Sequence, residues 1–247
     1  AVQLRIYRNV GSDEEPLFED FEWFRANGEI AELPTYGTFR PQIADLNGDG
    51  EPDVIAASQI GMIFWYRGTS DGGFADPAIV KLADGEVLSA GSDAGCHVVD
   101  WDFDGDTDLI VAGRLSPDSE SAGVYLVENQ SSESSLSLAA PRPLESAGQP
   151  IEGASRETYP FVADWNRDGK SDLLLGMRDG SVLLYRNTGE RHQPRLERGR
   201  QVVEPSRGGR QPPAEDAPNR GWAGGMCVTD WDNDGRVGEP GEWDWPH

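Results

Sequence analysis

Four times along this chain an aspartate is followed two residues later by Asp or Asn, and two residues after that by Asp-Gly. The copies fall at residues 45–50, 100–105, 164–169 and 230–235. Short oxygen-bearing side chains at alternate positions of a tight turn repel one another unless a cation sits among them. Hard oxygen donors on a Gly turn suit Ca²⁺ better than any softer metal. The feature therefore constrains both the local backbone and the ion that such a backbone is built to hold.

The helix-flanked calcium loop requires a bidentate Glu at its twelfth position. Here the twelfth positions are Ala56, Val111, Leu175 and Gly241, so that loop is ruled out. The ninth position is acidic in three copies, as Asp53, Asp108 and Asp172, and each is followed by a short apolar run. Runs such as residues 54–57, 109–113 and 173–176 read as buried strands. The loop thus joins two strands, with side chains 1, 3, 5 and 9 and the carbonyl of residue 7 as ligands. This assigns Asp45, Asn47, Asp49, Glu51 and Asp53 to the first site, and Asp100, Asp102, Asp104, Asp106 and Asp108 to the second. Asp164, Asn166, Asp168, Lys170 and Asp172 form the third. The fourth copy, with Asp230, Asp232, Asp234 and Arg236, carries Gly238 at its ninth position and lacks the apolar run. Glu239 or Glu242 could stand in there. Three Ca²⁺ are expected, with a fourth left open.

The first aspartates are spaced by 55, 64 and 66 residues, a period that signals a repeat architecture. Each loop is preceded by a short strand (residues 41–44, 97–99, 161–163 and 227–229). In the first three copies a third strand opened by Gly follows the second (61–67, 123–127 and 180–187). A more polar fourth strand is expected at residues 78–81 and 194–197. Four hairpin-joined strands are the unit of a β-propeller blade. Residues 2–11 match the third strand at 182–189, and residues 17–21 then supply a fourth. The chain therefore starts and ends in mid-blade, and its two halves complete one sheet, which hides exposed edges. The expected organisation is one all-β propeller over residues 1–247 with about four blades, three whole and one shared. It comprises a half-blade 1–35, blades 36–92, 93–155 and 156–205, an insertion loop 206–225 and a half-blade 226–247.

These loops and strands resemble the FG-GAP/VCBS family of calcium-binding propeller repeats, which integrin α-subunit heads and some fungal and bacterial lectins also contain. The resemblance covers residues 1–235 and implies the fold and the calcium. It does not select among adhesins, lectins, polysaccharide lyases and scaffolds. The chain departs from the family in having about four blades rather than about seven or eight, and in the missing strand of its last copy. A small closed ring, a fragment, or a half-ring completed by a second copy all fit that departure.

The formal charge of −23 would be strained without metal, and three Ca²⁺ would bring it to −17. So acidic a chain argues against nucleic acid and anionic membranes as partners. No apolar run reaches the length of a membrane span. Cys96 and Cys227 are expected to be small buried residues rather than a disulfide. The sequence opens on Ala1 rather than Met, and a processed or trimmed chain is expected. A secreted, cell-surface or periplasmic setting is expected, because external calcium is millimolar.

Two stretches, residues 130–150 and 204–225, break the repeat and read as exposed polar loops. The aromatic after the first ligand (Trp101, Trp165, Trp231) is expected to pack against the neighbouring blade. The axial mouth is expected to be lined by Arg40, His97, Tyr159 and Met226, with Tyr36 and Arg156 nearby; the candidate ligand-binding residues are Arg40, His97 and Tyr159 there and Trp222 outside the repeat. The expected function is a non-catalytic calcium-stabilised binding module for a glycan or protein. A lyase using His97 as base beside Arg40 is the alternative, and a structural subunit of a larger assembly is a third.

Overall fold

The computed structural model describes residues 3–12, 15–32, 39–91, 94–115, 122–131, 136–154 and 158–205. It is all-β. The N-terminal part forms two small hairpins, β1 (Arg5–Ile6) with β2 (Glu22–Trp23), and β3 (Arg25–Ala26) with β4 (Glu29–Ile30). Then comes a four-stranded sheet of β5 (Phe39–Ala44), β6 (Asp53–Ser58), β7 (Ile63–Tyr66) and β8 (Ala78–Ile79), paired in chain order. The second sheet repeats the order with β9 (Gly95–Val99), β10 (Asp108–Gly113), β11 (Ala122–Val127) and β12 (Arg142–Pro143). A hairpin of β13 (Glu145–Ser146) and β14 (Gln149–Pro150) follows, after which β15 (Glu152–Ala154) returns to pair with β11. The third sheet is β16 (Tyr159–Ala163), β17 (Asp172–Gly176), β18 (Val182–Tyr185) and β19 (Arg200–Val203). All pairings within these sheets are antiparallel.

The apolar runs become second strands because both of their faces are covered. In β10, Leu109 and Val111 pack with Leu46, Ile55 and Ile63 of the first sheet. Ile110 and Ala112 turn the other way, towards Leu173 and Leu175 of the third. A strand alternates its side chains between two faces, so a strand sandwiched between sheets must be apolar at every position. The inner strands lie side by side. The Gln42 side chain on β5 donates to the Cys96 carbonyl and accepts from Val98 N–H, both on β9.

A hairpin missed by the sequence reading recurs after three third strands. It spans β3–β4, residues 81–87 and β13–β14, and its turn N–H reaches the neighbouring sheet each time. Asn27 N–H donates to Phe74 O at 2.8 Å, Ala83 to Leu138 O at 2.8 Å and Ala147 to Leu196 O at 2.9 Å. Residues 130–150 are thus no simple polar insertion. Within that stretch three short strands form and two leucines are buried, Leu138 between the first and second sheets and Leu144 between the second and third.

The fourth strand of the third sheet also lies later than expected, at β19 rather than residues 194–197. Leu196 instead bridges both Asn187 and Ser146, drawn into the core by a neighbour remote in sequence. At the N-terminus the strand pairing with β1 is β2, and Phe18, within the expected 17–21 span, makes an isolated bridge to Asn9.

The hairpins β3–β4 and β13–β14 turn on two residues that both have positive φ, Asn27-Gly28 and Ala147-Gly148. Such turns favour Asn-Gly, whereas Ala in the left-handed region costs about 1–2 kcal/mol. Ala147 is exposed and sits at φ 51°. Replacing it with Asn is expected to stabilise the protein by about 1 kcal/mol, an increase of about 2–4 °C in melting temperature. A thermal melt of the variant showing no gain would contradict the strain assigned to this turn.

Candidate functional site

Each of the three described acidic loops closes the corner between a first and a second strand. The closing backbone pairs are Ala44 with Asp53, Val99 with Asp108 and Ala163 with Asp172. The fourth residue of each loop takes positive φ (Gly48 70°, Phe103 59°, Arg167 59°), and the sixth does so as Gly50, Gly105 and Gly169. These two left-handed steps bend the chain around its own first carboxylate. Asp45 accepts from the N–H groups of Gly48, Asp49 and Gly50. Asp100 accepts from Asp104 and Gly105, and Asp164 from Asp168 and Gly169. The fifth-position carboxylates accept from the N–H of the seventh residues, Glu51, Asp106 and Lys170, at 3.0, 3.0 and 3.1 Å.

The ninth-position aspartates are buried and tie the corner to the rest of the sheet. One oxygen accepts from the second residue of the loop: Leu46 to Asp53, Trp101 to Asp108 and Trp165 to Asp172, at 2.9, 3.1 and 3.1 Å. The other accepts from the residue ending the third-strand segment: Gly68, Asn129 and Asn187, at 2.7, 2.8 and 2.7 Å.

The third position behaves differently. Asn47 and Asn166 turn their amide nitrogens to Asp49 and Asp168. Their Oδ1 atoms, and Oδ1 of Asp102, are buried and make no hydrogen bond. Asn47 as a whole is only 2% exposed. A buried oxygen without a partner costs about 1–3 kcal/mol. The same orphan at the same position of three loops marks the place where a ligand belongs. In the second loop, carboxylate oxygens of Asp100, Asp102 and Asp108 lie within 4.8 Å of one another.

The electrostatics agree. Burial pushes the Asp108 carboxyl up to about 7, and Asp102 and Asp104 add to it, against hydrogen bonds from Asn129 and Trp101. Burial likewise raises Asp53 and Asp172, and raises Asp102 and Asp106 with help from their acidic neighbours. In the first loop the Asn47 hydrogen bond, then those from Glu51 and from Arg67 by charge, hold Asp49 below the usual carboxylate range. Arg67 Nη1 lies 3.8 Å from Asp49 Oδ2, and Lys170 Nζ 4.0 Å from Asp168 Oδ2. The donors are oxygen only, a set suited to a hard divalent cation.

The structure brings positions 1, 3 and 9 of the second loop within 4.8 Å of one another, and in the first and third loops positions 3 and 5 share a hydrogen bond. The fourth loop (Asp230, Asp232, Asp234, Arg236) and Trp222 lie outside the described residues, as do Tyr36, Arg156 and Met226. Trp101 is buried against the third sheet and Leu46 against the second, as packing requires, whereas Trp165 is half-buried and Trp231 lies outside the described residues. Cys96 is a free thiol that burial pushes up to about 12.

The candidate ligand residues divide into two groups. Arg40 stacks on the Tyr159 ring at 3.4 Å, although the two belong to the first and third sheets. Gly95 on the strand between them packs against the Tyr159 backbone, where a Cβ would meet the Thr158 carbonyl at 2.3 Å. His97 lies apart from this stack, with its ring 4.6 Å from that of Phe161 and hydrogen-bonded to the Val162 backbone. His97 is the register counterpart of Gln42, whereas Arg40 and Tyr159 share a different register. Sequence reasoning missed Asn129 and Asn187. The recurrence of Asn at the end of third-strand segments (Asn9, Asn129, Asn187) was the available signal.

Residues 45–111 match the family described as FG-GAP-like repeat, a span running from the first ligand of the first loop into β10. The resemblance drawn from the acidic loops is therefore shown there. No curated protein matches the chain. A solved structure that it resembles is described as the structural basis of specific recognition of non-reducing terminal N-acetylglucosamine by an Agrocybe aegerita lectin. Identity is 19%, the TM-score is 0.49, and the match covers 77% of this chain and 46% of that one. The chain thus spans about half the length of that lectin. Among the described residues no helix is long and apolar enough to cross a membrane.

Burial lowers His97 to about 4, against its Val162 hydrogen bond, which pulls upward. A histidine ordinarily titrates near 6.5. Since the folded value lies below the unfolded one, stability is present above about pH 6.5 and is lost as pH falls towards 4. Urea midpoints measured across that window are expected to fall more steeply for the wild type than for His97→Gln. Parallel profiles would contradict the assignment.

Proposed function

Taking residues 45–111 as an FG-GAP-like repeat, we propose that the chain is a calcium-stabilised β-propeller module whose task is to bind a glycan or protein partner outside the cytosol. The observation that carries the calcium is the orphaned, buried third-position oxygen in each described loop. Side chains 1, 3, 5 and 9 would hold each ion, together with the seventh carbonyls inferred from the sequence. The ion would supply charge neutralisation and rigidity: it relieves the buried Asp108 and the repulsion of Asp102 and Asp104, and it fixes the corner of each blade. The three stacked sheets are then blades. The N-terminal hairpins belong to a further one, which makes about four.

An open cleft of about 640 Å³ supports the binding reading. It lies between the N-terminal hairpins and the turn at residues 69–74. Trp23 offers a ring there, and Arg8, Glu22, Asn27 and Asp71 offer hydrogen-bonding groups. An aromatic ring beside a few convergent polar groups is the pattern that takes a sugar.

Calcium removal is the first test. Ligand binding to the folded state adds about 2.7 kcal/mol at a hundredfold excess over the dissociation constant. A chelator is therefore expected to lower the melting temperature by about 5–10 °C for each such site lost. Asp104→Ala should abolish one calcium equivalent in calorimetric titration and leave the others. Identical melting curves in calcium and chelator would refute the metal reading.

The partner is tested on a glycan array with the calcium-loaded protein. Binding to a defined glycan set that Trp23→Ala reduces at least tenfold supports the cleft. Retention of that binding by Trp23→Ala would place the glycan elsewhere.

A further inference from the structure

We propose that the metal sites of the first and second loops are thermodynamically linked through Asn129, so that filling one raises the cation affinity of the other, while the third loop stands outside the link. The inference rests on the calcium reading above. What carries it is an unbroken, buried relay of hydrogen bonds between the ninth-position ligands of the two loops.

The relay starts at Asp53. Its Oδ2 accepts from Leu46 N–H at 2.9 Å. The carbonyl of the same Leu46 accepts from Asn129 Nδ2 at 2.7 Å. Asn129 Nδ2 also donates to the Thr107 carbonyl at 2.9 Å, directly before the ninth ligand of the second loop. The Asn129 backbone N–H then donates to Asp108 Oδ1 at 2.8 Å. Leu46 itself sits between the first and third ligands of its loop, Asp45 and Asn47. One amide group therefore fixes a peptide inside one metal loop and a peptide at the end of the other.

The residues that join the two ninth-position ligands are buried, with Asp53 and Leu46 at 0% exposure, Asp108 at 2% and Asn129 at 3%, and only Thr107 beside them is half-buried. The Asn129 side chain is itself held, since its Oδ1 accepts from the N–H and the hydroxyl of Ser131. In such surroundings hydrogen bonds are strong and polarise one another. Whichever cation arrives first must order its own corner and, through Leu46 and Asn129, part of the other. The second ion then has less to order, which is positive cooperativity in the currency of conformational freedom.

The same fold contains its own control. At the joint between the second and third sheets, Asn187 occupies the place of Asn129, and its N–H donates to Asp172 at 2.7 Å. Its Nδ2, however, is buried without a hydrogen bond. The relay is interrupted there at one link. What touches the second loop from the third sheet is a different contact. A His192 ring nitrogen lies 2.7 Å from the Asp102 carbonyl, and Arg191 stacks on Phe103, both from a turn rather than from the third loop.

The test is a calcium titration of the full chain followed by NMR at the amides of Gly50, Gly105 and Gly169, one in each loop and each bonded to its first-position aspartate. Asp104→Ala disables the second loop. It is expected to raise the calcium midpoint at Gly50 about fivefold, in the usual range of coupling energies, and to leave Gly169 unmoved. In an Asn129→Ala background the same substitution should no longer move Gly50. Asn129→Asp, which keeps the size but replaces the donor, should give the same result if the alanine variant folds poorly. The link is overturned if Asp104→Ala leaves Gly50 unchanged, or if its effect survives loss of the Asn129 amide. Absence of any calcium response in the three glycines would instead take down the metal reading, and the link with it.

Discussion

A buried carboxylate at the ninth position of the three described acidic loops is the point on which each corner depends. One of its oxygens secures the loop's second residue and the other the end of the third-strand segment. That single side chain therefore joins a corner to the far side of its own sheet. The arrangement places a charge where burial opposes charge, as the raised Asp108 shows. Such a group is tolerated when hydrogen bonds and a cation compensate it. The rest of the corner, with two left-handed residues and a ring of N–H donors, follows from the need to gather oxygens around one point.

The sheets are stacked by a different force. Leu109 and Val111 face one neighbour and Ile110 and Ala112 the other, so the second strand of the middle sheet is a wall shared by two apolar layers. Burial of apolar surface contributes about 25 cal/mol per Å² and has no direction of its own. Direction comes from the hairpin tips, whose turn N–H groups each find one carbonyl on the next sheet. Apolar layers thus supply the attraction, and a few backbone hydrogen bonds set the register.

The corners and the walls were both legible in the sequence, for a common reason. The acidic loops act over nine residues and the apolar runs over four or five, so their physics is local. The expected first, second and third strands accordingly stand close to β5, β6 and β7 and their repeats. The polar look of residues 130–150 concealed Leu138 and Leu144, because each is a single apolar residue that a different joint between sheets buries. Residues 194–197 alternate like a strand, yet Leu196 was taken up by Ser146, fifty residues earlier in the chain.

By itself the sequence determined that the acidic motif occurs four times, that three copies are followed by buried strands, and that those copies offer oxygen alone to a cation. Tertiary structure alone decided which residues meet across sheets. Asn129 reaches Leu46 over 83 residues of chain. Arg40 finds Tyr159 where Gly95 leaves the intervening strand bare. A local pattern fixes the angle at which a strand leaves its turn. The partner waiting on the next sheet depends on how whole layers stack, and that is settled only when their apolar faces close.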